Sequence, residues 1–453
     1  MQPVANQDRS RSVDVLVRLI AARALDPGSV TEEEEARLMK SFRAKEKTAF
    51  GRLEKALESG RYRIARKESA QLRRAMAPRY LSLWRTKPRA LADRPKDPSA
   101  ERTATRGERI GQILSLLERV GDLEEPARPV VYAKLKNRNK SCRDVRAPRR
   151  SLACGGSVER RIIFKFDWID RARQRLIAFS LKPFVSYHPS QFMRRGRGRS
   201  AVCEYLRHEV PSLSAAHVFM QVDVRDFFGS ISPTWIEGRF RLAEAVIRRQ
   251  MHSGEMRILM DGRARAYLRG GENNERVRRV LPQGSALSPL LAEMAMAEVL
   301  EGITDHLRRT LLVTYSDNLG IFMPEARAAA IEDRLRSAFG ASSVGPFELT
   351  FSRPVPLANG FSFLGHQWRL EAGALHTFVD ERVAEGRAIV LRRQMLDRYT
   401  RQGLRAVRSR ILAQASEWKL WPGVTSWKSN LLEAWACAWN GLAALERDDR
   451  LAA

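Results

Sequence analysis

The chain has 453 residues, more than one domain usually holds, so two or three units sharing a large core are expected. Eighty Lys and Arg against 52 Asp and Glu leave a net charge of +28, which points first to nucleic acid and second to an anionic membrane surface. No apolar run reaches membrane-spanning length and no lipidation signal is present, so a membrane partner is disfavoured.

The opening stretch, MQPVANQDRSRSVDVL, lacks the apolar core of a secretory signal, and the cytoplasm is the expected compartment. Cys142, Cys154, Cys203 and Cys437 form no CxxC or Cys/His cluster, so neither a zinc site nor a disulfide framework is expected. Up to about residue 125, segments such as VDVLVRLIAARAL and RIGQILSLLERV repeat apolar positions at helical spacing. Within this helical region, residues 61–95 hold eleven Lys or Arg against Glu68 and Asp93, interleaved with Tyr62, Tyr80 and Trp84. Such a mixture suits either a solvated face or a nucleic-acid strand with exposed bases.

A connector, EEPARP, leads into residues 134–150, where eight basic residues face one Asp. The runs SLAC and VERRIIFKF, joined by Gly155-Gly156, read as a basic hairpin, because both glycines tolerate positive φ. WIDRARQRLIAFSLKPF reads as an amphipathic helix ended by Pro183, and a basic Gly-containing loop follows at SQFMRRGRGRS. From 217 to about 370 strands and helices alternate as strand, helix, helix, hairpin, helix, strand, which predicts an α+β sheet unit. Residues 371–453 read as helical again, with five of the nine tryptophans as core anchors.

In HVFMQVDVRDFFGSIS the alternation predicts a half-buried strand carrying Asp223 on the face opposite its aliphatic side, with Ser232-Pro233 opening the next helix. In TLLVTYSDNLGIFM, LLVTY and LGIFM form the arms of a hairpin with Asp317 at the bend. If the two strands lie side by side, Asp223 and Asp317 meet at one edge of the sheet. Two such carboxylates repel unless a divalent cation neutralises them, the arrangement a two-metal phosphoryl-transfer site needs. A third segment, LPQGSALSPLLAEMAMAEVLEGITDHLRR, reads as a loop with Gln283-Gly284, Ser288 as N-cap, Pro289 at the first helical position, and a helix. The glycine permits close backbone approach to a ligand, and the Gln283 amide is suited to reading a base or sugar edge.

VDVRDFFGSI, LPQGSALSPLLA, YSDN and FSFLGHQW stand in the order and at roughly the spacing of the palm motifs of prokaryotic reverse transcriptases, which the chain resembles. With the basic segment VERRIIFKFDWIDRARQRLIAFSL the resemblance covers about residues 145–370. It implies a right-hand polymerase: a helical N-terminal extension over 1–129, fingers over 130–216, a ferredoxin-like palm over 217–370 and a helical thumb over 371–453. It also implies that Asp223 and Asp317 bind Mg2+ or Mn2+ with the backbone carbonyl of Val224, and that Phe228 is the aromatic gate against a ribose 2′ hydroxyl. Gln283 and Gly284 would contact the nucleotide, and Arg160 would touch its triphosphate. Lys165 stands where the family's R-x-I-x-x-P pattern has Pro, so Arg161 or Lys165 is an alternative phosphate contact. Arg353, where relatives often carry Lys, is expected to stabilise pyrophosphate charge. Gly365 and His366 would sit at the primer grip, unless they merely form a turn. The eight arginines of 387–410 suit a template-primer duplex.

The family's Tyr-x-Asp-Asp ends here in Asn318, which keeps one oxygen ligand but removes a charge, so weaker metal affinity and reliance on Mn2+ or a pre-bound triphosphate are expected. The resemblance leans to bacterial defence-associated branches, because the tail is short for an RNase H domain, no Cys/His endonuclease cluster is present, and GVTSW is not the retron Val-Thr-Gly element. Partners implied are an RNA template or noncoding RNA, deoxynucleotides, a DNA product, and a protein partner or second copy. Two other readings stay open: an inactive RNA-binding scaffold and an RNA-dependent RNA polymerase.

Overall fold

The computed structural model describes residues 13–21, 29–86, 106–135, 160–193, 197–214, 216–268, 277, 280–303, 307 and 310–378. The Gly155-Gly156 turn, the arginines of 387–410, the C-terminal tryptophans and the expected thumb beyond 378 lie outside these residues.

The N-terminal extension is built of α1 (Val13–Ala21), α2 (Glu32–Glu58), α3 (Tyr62–Arg74), α4 (Met76–Thr86), α5 (Arg106–Leu114) and α6 (Leu117–Gly121). A capping box starts α2: the Glu34 N–H donates to Thr31 Oγ1 at 3.2 Å, and the Thr31 N–H donates to Glu34 Oε2 at 3.0 Å. Leu38, Phe42 and Leu53 of α2 are buried against Tyr80, Leu81 and Leu83 of α4, with Phe42 and Tyr80 in edge contact at 4.6 Å. Of the two readings of 61–95, a strand with bases on these aromatics is not open to Tyr80. Tyr80 is fully buried, Trp84 stacks on it at 6.2 Å and is half-buried, and Tyr62 is 61 % exposed.

A finger sheet follows, in which β1 (Val130–Leu135) pairs antiparallel with β2 (Arg160–Lys165). The described partner of β2 is therefore a strand that begins just after the connector and ends in the first residues of the basic run. α7 (Trp168–Leu181) starts at Asp167, whose side chain accepts from the Asp170 N–H at 2.8 Å. Its expected polar face is narrow: Arg171 is exposed and Arg175, one turn on, is half-buried. Ile169, Ala172 and Leu176 join the N-terminal core, while Ile177 and Leu181 join that of the palm. The Arg173 guanidinium, 2 % exposed, donates to the Arg119 carbonyl and to the Asp170 and Glu125 carboxylates. A buried charge needs such partners, and here they tie the N-terminal extension to the fingers.

After α8 (Arg199–Glu209), which buries the free thiol of Cys203, the chain enters β3 (His217–Arg225). Short helices α9 (Phe227–Ser230), α10 (Pro233–Arg239) and α11 (Glu244–Val246) follow, with Ser232 capping α10 by accepting from the Trp235 N–H at 3.3 Å. β4 (Leu259–Met260) returns to pair parallel with β1. Beyond α12 (Gly262–Leu268) come α13 (Ser288–Glu301), β5 (Leu311–Tyr315), β6 (Asn318–Pro324), α14 (Ala328–Gly340) and β7 (Glu348–Phe351).

The palm sheet has the order β5-β6-β3-β7, all antiparallel, with β8 (Val355–Pro356) also on β3. Strands first, second, third and fourth in the chain thus lie in the order 2-3-1-4, with α13 and α14 as the crossovers of a ferredoxin-like βαββαβ unit. Its core joins Met220, Val222 and Ile321 to Leu291, Ala295, Leu335 and Phe339. A third sheet, β9 (Phe361–Phe363), β10 (His366–Glu371) and β11 (Ala374–Phe378), packs Phe361 and Phe363 on Phe219. Among the described residues no helix is long and apolar enough to cross a membrane.

Candidate active site

The two strands bearing the predicted carboxylates lie side by side. β3 and β6 are in a register that opposes Asp223 to Asn318, and the Val224 N–H donates to the Asp317 carbonyl at 3.1 Å. Tyr315 pairs with Asn318, leaving Ser316 and Asp317 as a two-residue turn with Ser316 at φ +59. Opposed residues of such a pair have Cα atoms about 5 Å apart, so Asp317 is carried to the sheet end where Asp223 emerges. Asp223 is exposed and Asp317 half-buried.

Asn318 stands opposite Asp223 and next to Asp317. Its Nδ2 donates to Asp317 Oδ1 at 3.1 Å, and its Oδ1 accepts from Gln221 Nε2 at 3.4 Å. An amide thus offers Asp317 a donor where a carboxylate would repel it. Asn318→Asp is expected to lower the melting temperature without divalent metal, by about 1 kcal/mol of stability, and to raise magnesium-dependent incorporation. Thermal melts and primer extension over a magnesium titration check this, and unchanged activity would mean that the amide is accommodated by other ligands.

The expected aromatic pair separates cleanly. Phe227 is buried against Phe347, with ring centroids 5.4 Å apart, whereas Phe228 is only half-buried at the start of α9. Of the two rings, Phe228 is the more exposed.

Gln283 and Gly284 are brought to the fingers by a backbone contact: the Phe164 N–H of β2 donates to the Gln283 carbonyl at 2.9 Å. Gly284 sits at φ +118, and a Cβ there would stand 2.3 Å from the Phe164 carbonyl oxygen. Gln174 of α7 supports the same loop, accepting from the Ala286 N–H at 3.0 Å. Ser288 is not the N-cap of α13. It lies inside the first turn and donates to the Pro282 carbonyl at 2.8 Å, while Ser285 accepts from the Leu287 N–H at 3.1 Å.

Arg161 and Lys165 are exposed and, being four residues apart in β2, share one face. The Arg160 side chain lies outside the described set. Arg353 is exposed just beyond Ser352, which is bonded to β3 through Gln221. Leu364 and Gly365, at φ +50 and +82, make the two-residue turn between β9 and β10. Gly365 is exposed there, but His366 is 4 % exposed with its ring 6.0 Å from Trp368. His366 thus packs in the core, and of the two only Gly365 is exposed.

Glu293 went unnoticed in the sequence. It lies in α13 at 5 % exposure, and Gln191 Nε2 donates both to its Oε2 at 2.9 Å and to its carbonyl at 2.8 Å. Gln191 in turn bridges to Thr314 of β5. Burial pushes the Glu293 carboxyl up to about 7; the Gln191 amide opposes this and the charge of Asp317 adds to it. The signal available was a carboxylate inside the apolar run LLAEMAMA.

The unfolded chain ionises Glu293 near 4.5 and the folded one near 7. Its cost to stability is therefore absent below the lower value, grows between the two, and is constant above. Glu293→Gln, which keeps an acceptor for Gln191, is expected to stabilise the metal-free protein by on the order of 2 kcal/mol above pH 7 and not at all at pH 4.5. Melts at both pH values test this, and equal gains would rule out the titration.

The donors at the sheet edge fit a divalent cation: two carboxylates and the Val224 carbonyl are hard oxygen ligands, and no opposing Lys or Arg is bonded to Asp317 among the described residues. Residues 156–339 match the family model described as reverse transcriptase (RNA-dependent DNA polymerase), a match over less than half of the chain. It supports a polymerase of the reverse transcriptase kind, and with the β5-β6-β3-β7 palm it makes the fold that of a right-hand polymerase. No curated protein matches the sequence. Among solved structures, the RNA-dependent RNA polymerase from bacteriophage phi12 is similar at 11 % identity and a TM-score of 0.37, over 62 % of this chain. The chain covers 51 % of that polymerase, and a likeness at this level carries no argument about substrate.

Proposed function

We propose that the protein adds deoxynucleotides to a primer 3′ hydroxyl on an RNA template, with Asp223 and Asp317 as the reacting centre's carboxylates. The observation that carries this reading is the β3–β6 register, which sets Asp223 opposite Asn318 and beside Asp317 from segments far apart in the chain. Asp223, Asp317 and the Val224 carbonyl would hold Mg2+ or Mn2+, which supplies a Lewis acid for the 3′ hydroxyl and charge neutralisation for the phosphates. Gln283 and Gly284 orient the incoming nucleotide against β2, and Arg160 meets its phosphates, with Arg161 and Lys165 on the exposed face of that strand as the alternative contacts. Arg353 stabilises the departing pyrophosphate, and Gly365 lies at the primer grip. The domain division at 129, 216 and 370 belongs to the same reading, as does action in antiphage defence with a noncoding RNA or a partner protein.

Phe228 gives the reading its substrate. With the ring in place, deoxynucleotides are preferred because a ribose 2′ hydroxyl collides with it; Phe228→Ala is expected to admit ribonucleotides and reduce discrimination at least about tenfold. Primer extension with magnesium and with manganese, with the two nucleotide types in competition, tests this. A wild-type preference for ribonucleotides would favour an RNA-dependent RNA polymerase. No incorporation with either metal would favour the second reading, an RNA-binding scaffold, to which Asn318 in place of a carboxylate gives its support.

A further inference from the structure

A basic cavity lies away from the carboxylates, where the N-terminal extension meets the fingers and α13. It measures about 250 Å³ and is lined by Ser82 and Arg85 of α4, Arg175, Ala178, Phe179 and Lys182 at the end of α7, and Leu290 of α13. Three of its side chains are cations and none is an acid. Arg85 is held by Glu46, with bonds of 2.8 and 2.5 Å, and its guanidinium lies 5.9 Å from the Phe179 ring centre. Arg175 and Lys182 are half-buried, and neither has a carboxylate partner among the described residues.

A bland explanation covers part of this. Arg85 stands in the last turn of α4 and Lys182 at the C-cap of α7, where a helix dipole favours positive charge. Arg175 has no such reason, since it lies in the middle of α7. Burial draws its guanidinium below the ordinary range, and the neighbouring charges of Arg171 and Arg85 push the same way. Like charges gathered around a partly desolvated cavity cost free energy that a bound anion would offset. The walls are also partly apolar, through Phe179, Ala178 and Leu290, which suits an anion attached to an organic group better than a bare hydrated ion.

We propose that Arg175, Lys182 and Arg85 form a phosphate-binding site for a phosphate ester, one phosphate seated between the cations and its sugar or base against Phe179. The fork of Arg175 can take two phosphate oxygens, while Lys182 adds a point charge. Two sources share this chemistry: the backbone of a nucleic-acid strand and a free nucleotide.

The test is a binding measurement, so it does not depend on polymerase activity. A fluorescently labelled single-stranded RNA is titrated onto the wild-type chain and onto Arg175→Gln, Lys182→Ala and the double variant at several salt concentrations. ATP and inorganic phosphate are tested separately by thermal shift. If the site takes backbone phosphate, the double variant binds RNA about tenfold more weakly, and its plot of log K against log salt is shallower by about 0.7 for each phosphate the site had neutralised. If it takes a free nucleotide, ATP raises the melting temperature of the wild type but not of the double variant, and RNA affinity is unchanged. Unchanged RNA affinity and salt slope together with an unchanged ATP shift in the double variant overturn the proposal. Lys182→Ala alone, at a half-exposed position, gives the same readings in weaker form should Arg175→Gln unfold the chain.

Discussion

Asp317→Ala is expected to abolish primer extension, with a loss on the order of 10³-fold or more in either metal, while the protein stays folded. The side chain stands at a two-residue turn and is only half-buried, so little packing goes with it. Its hydrogen-bond partner, Asn318 Nδ2, keeps access to solvent at this half-exposed edge. The position of the turn is set by backbone bonds that do not involve the carboxylate, including the Val224 N–H to the Asp317 carbonyl. Stability is therefore expected to change by less than about 1 kcal/mol. Removing one of two carboxylates takes away a metal ligand and much of the local negative charge. Incorporation that survives this substitution would show that the chemistry takes place elsewhere.

Gly284→Ala is the second large effect, and it acts through shape. The added Cβ would stand 2.3 Å from a backbone carbonyl of β2, and the residue would be held at φ +118, a region costly to any L side chain. The carbonyl cannot swing away alone, because Phe164 is buried and its N–H is bonded to Gln283 in the same loop. Either the loop or the finger strand must move. The expected outcome is a loss of about 2–4 kcal/mol in stability, with incorporation reduced on the order of 100-fold even below the new melting temperature. Urea unfolding together with single-nucleotide incorporation separates the two parts. A variant as stable and as active as the wild type would mean that the loop does not need to pack on β2.

Much of this site was legible in one dimension because strands and turns write themselves locally. The alternation in HVFMQVDVR and the bend at YSDN depend on neighbours one or two residues away, and β3 and the β5–β6 hairpin form where those patterns predict them. Ser232 capping α10 is legible for the same reason. The pairing of β2 with β1 was not, because strand pairing joins segments whose separation no local pattern encodes.

Long-range packing settled the rest. Phe227 and Phe228 are equivalent as letters, and only the approach of Phe347 makes one of them core and leaves the other open. Tyr80 and His366 looked suited to nucleic acid but are buried, since aromatic surface is worth more in a core when a neighbouring element offers one. Glu293 and Arg175 show the converse: an acid in an apolar helix and a cation in a basic one acquire meaning only from the groups folded against them. Charge, strand pattern and the order of the carboxylate segments belong to the sequence alone, because local sterics and composition carry them. Which side chains meet, and at what electrostatic cost, was decided by the tertiary structure, because burial and Coulomb interaction depend on distance through space.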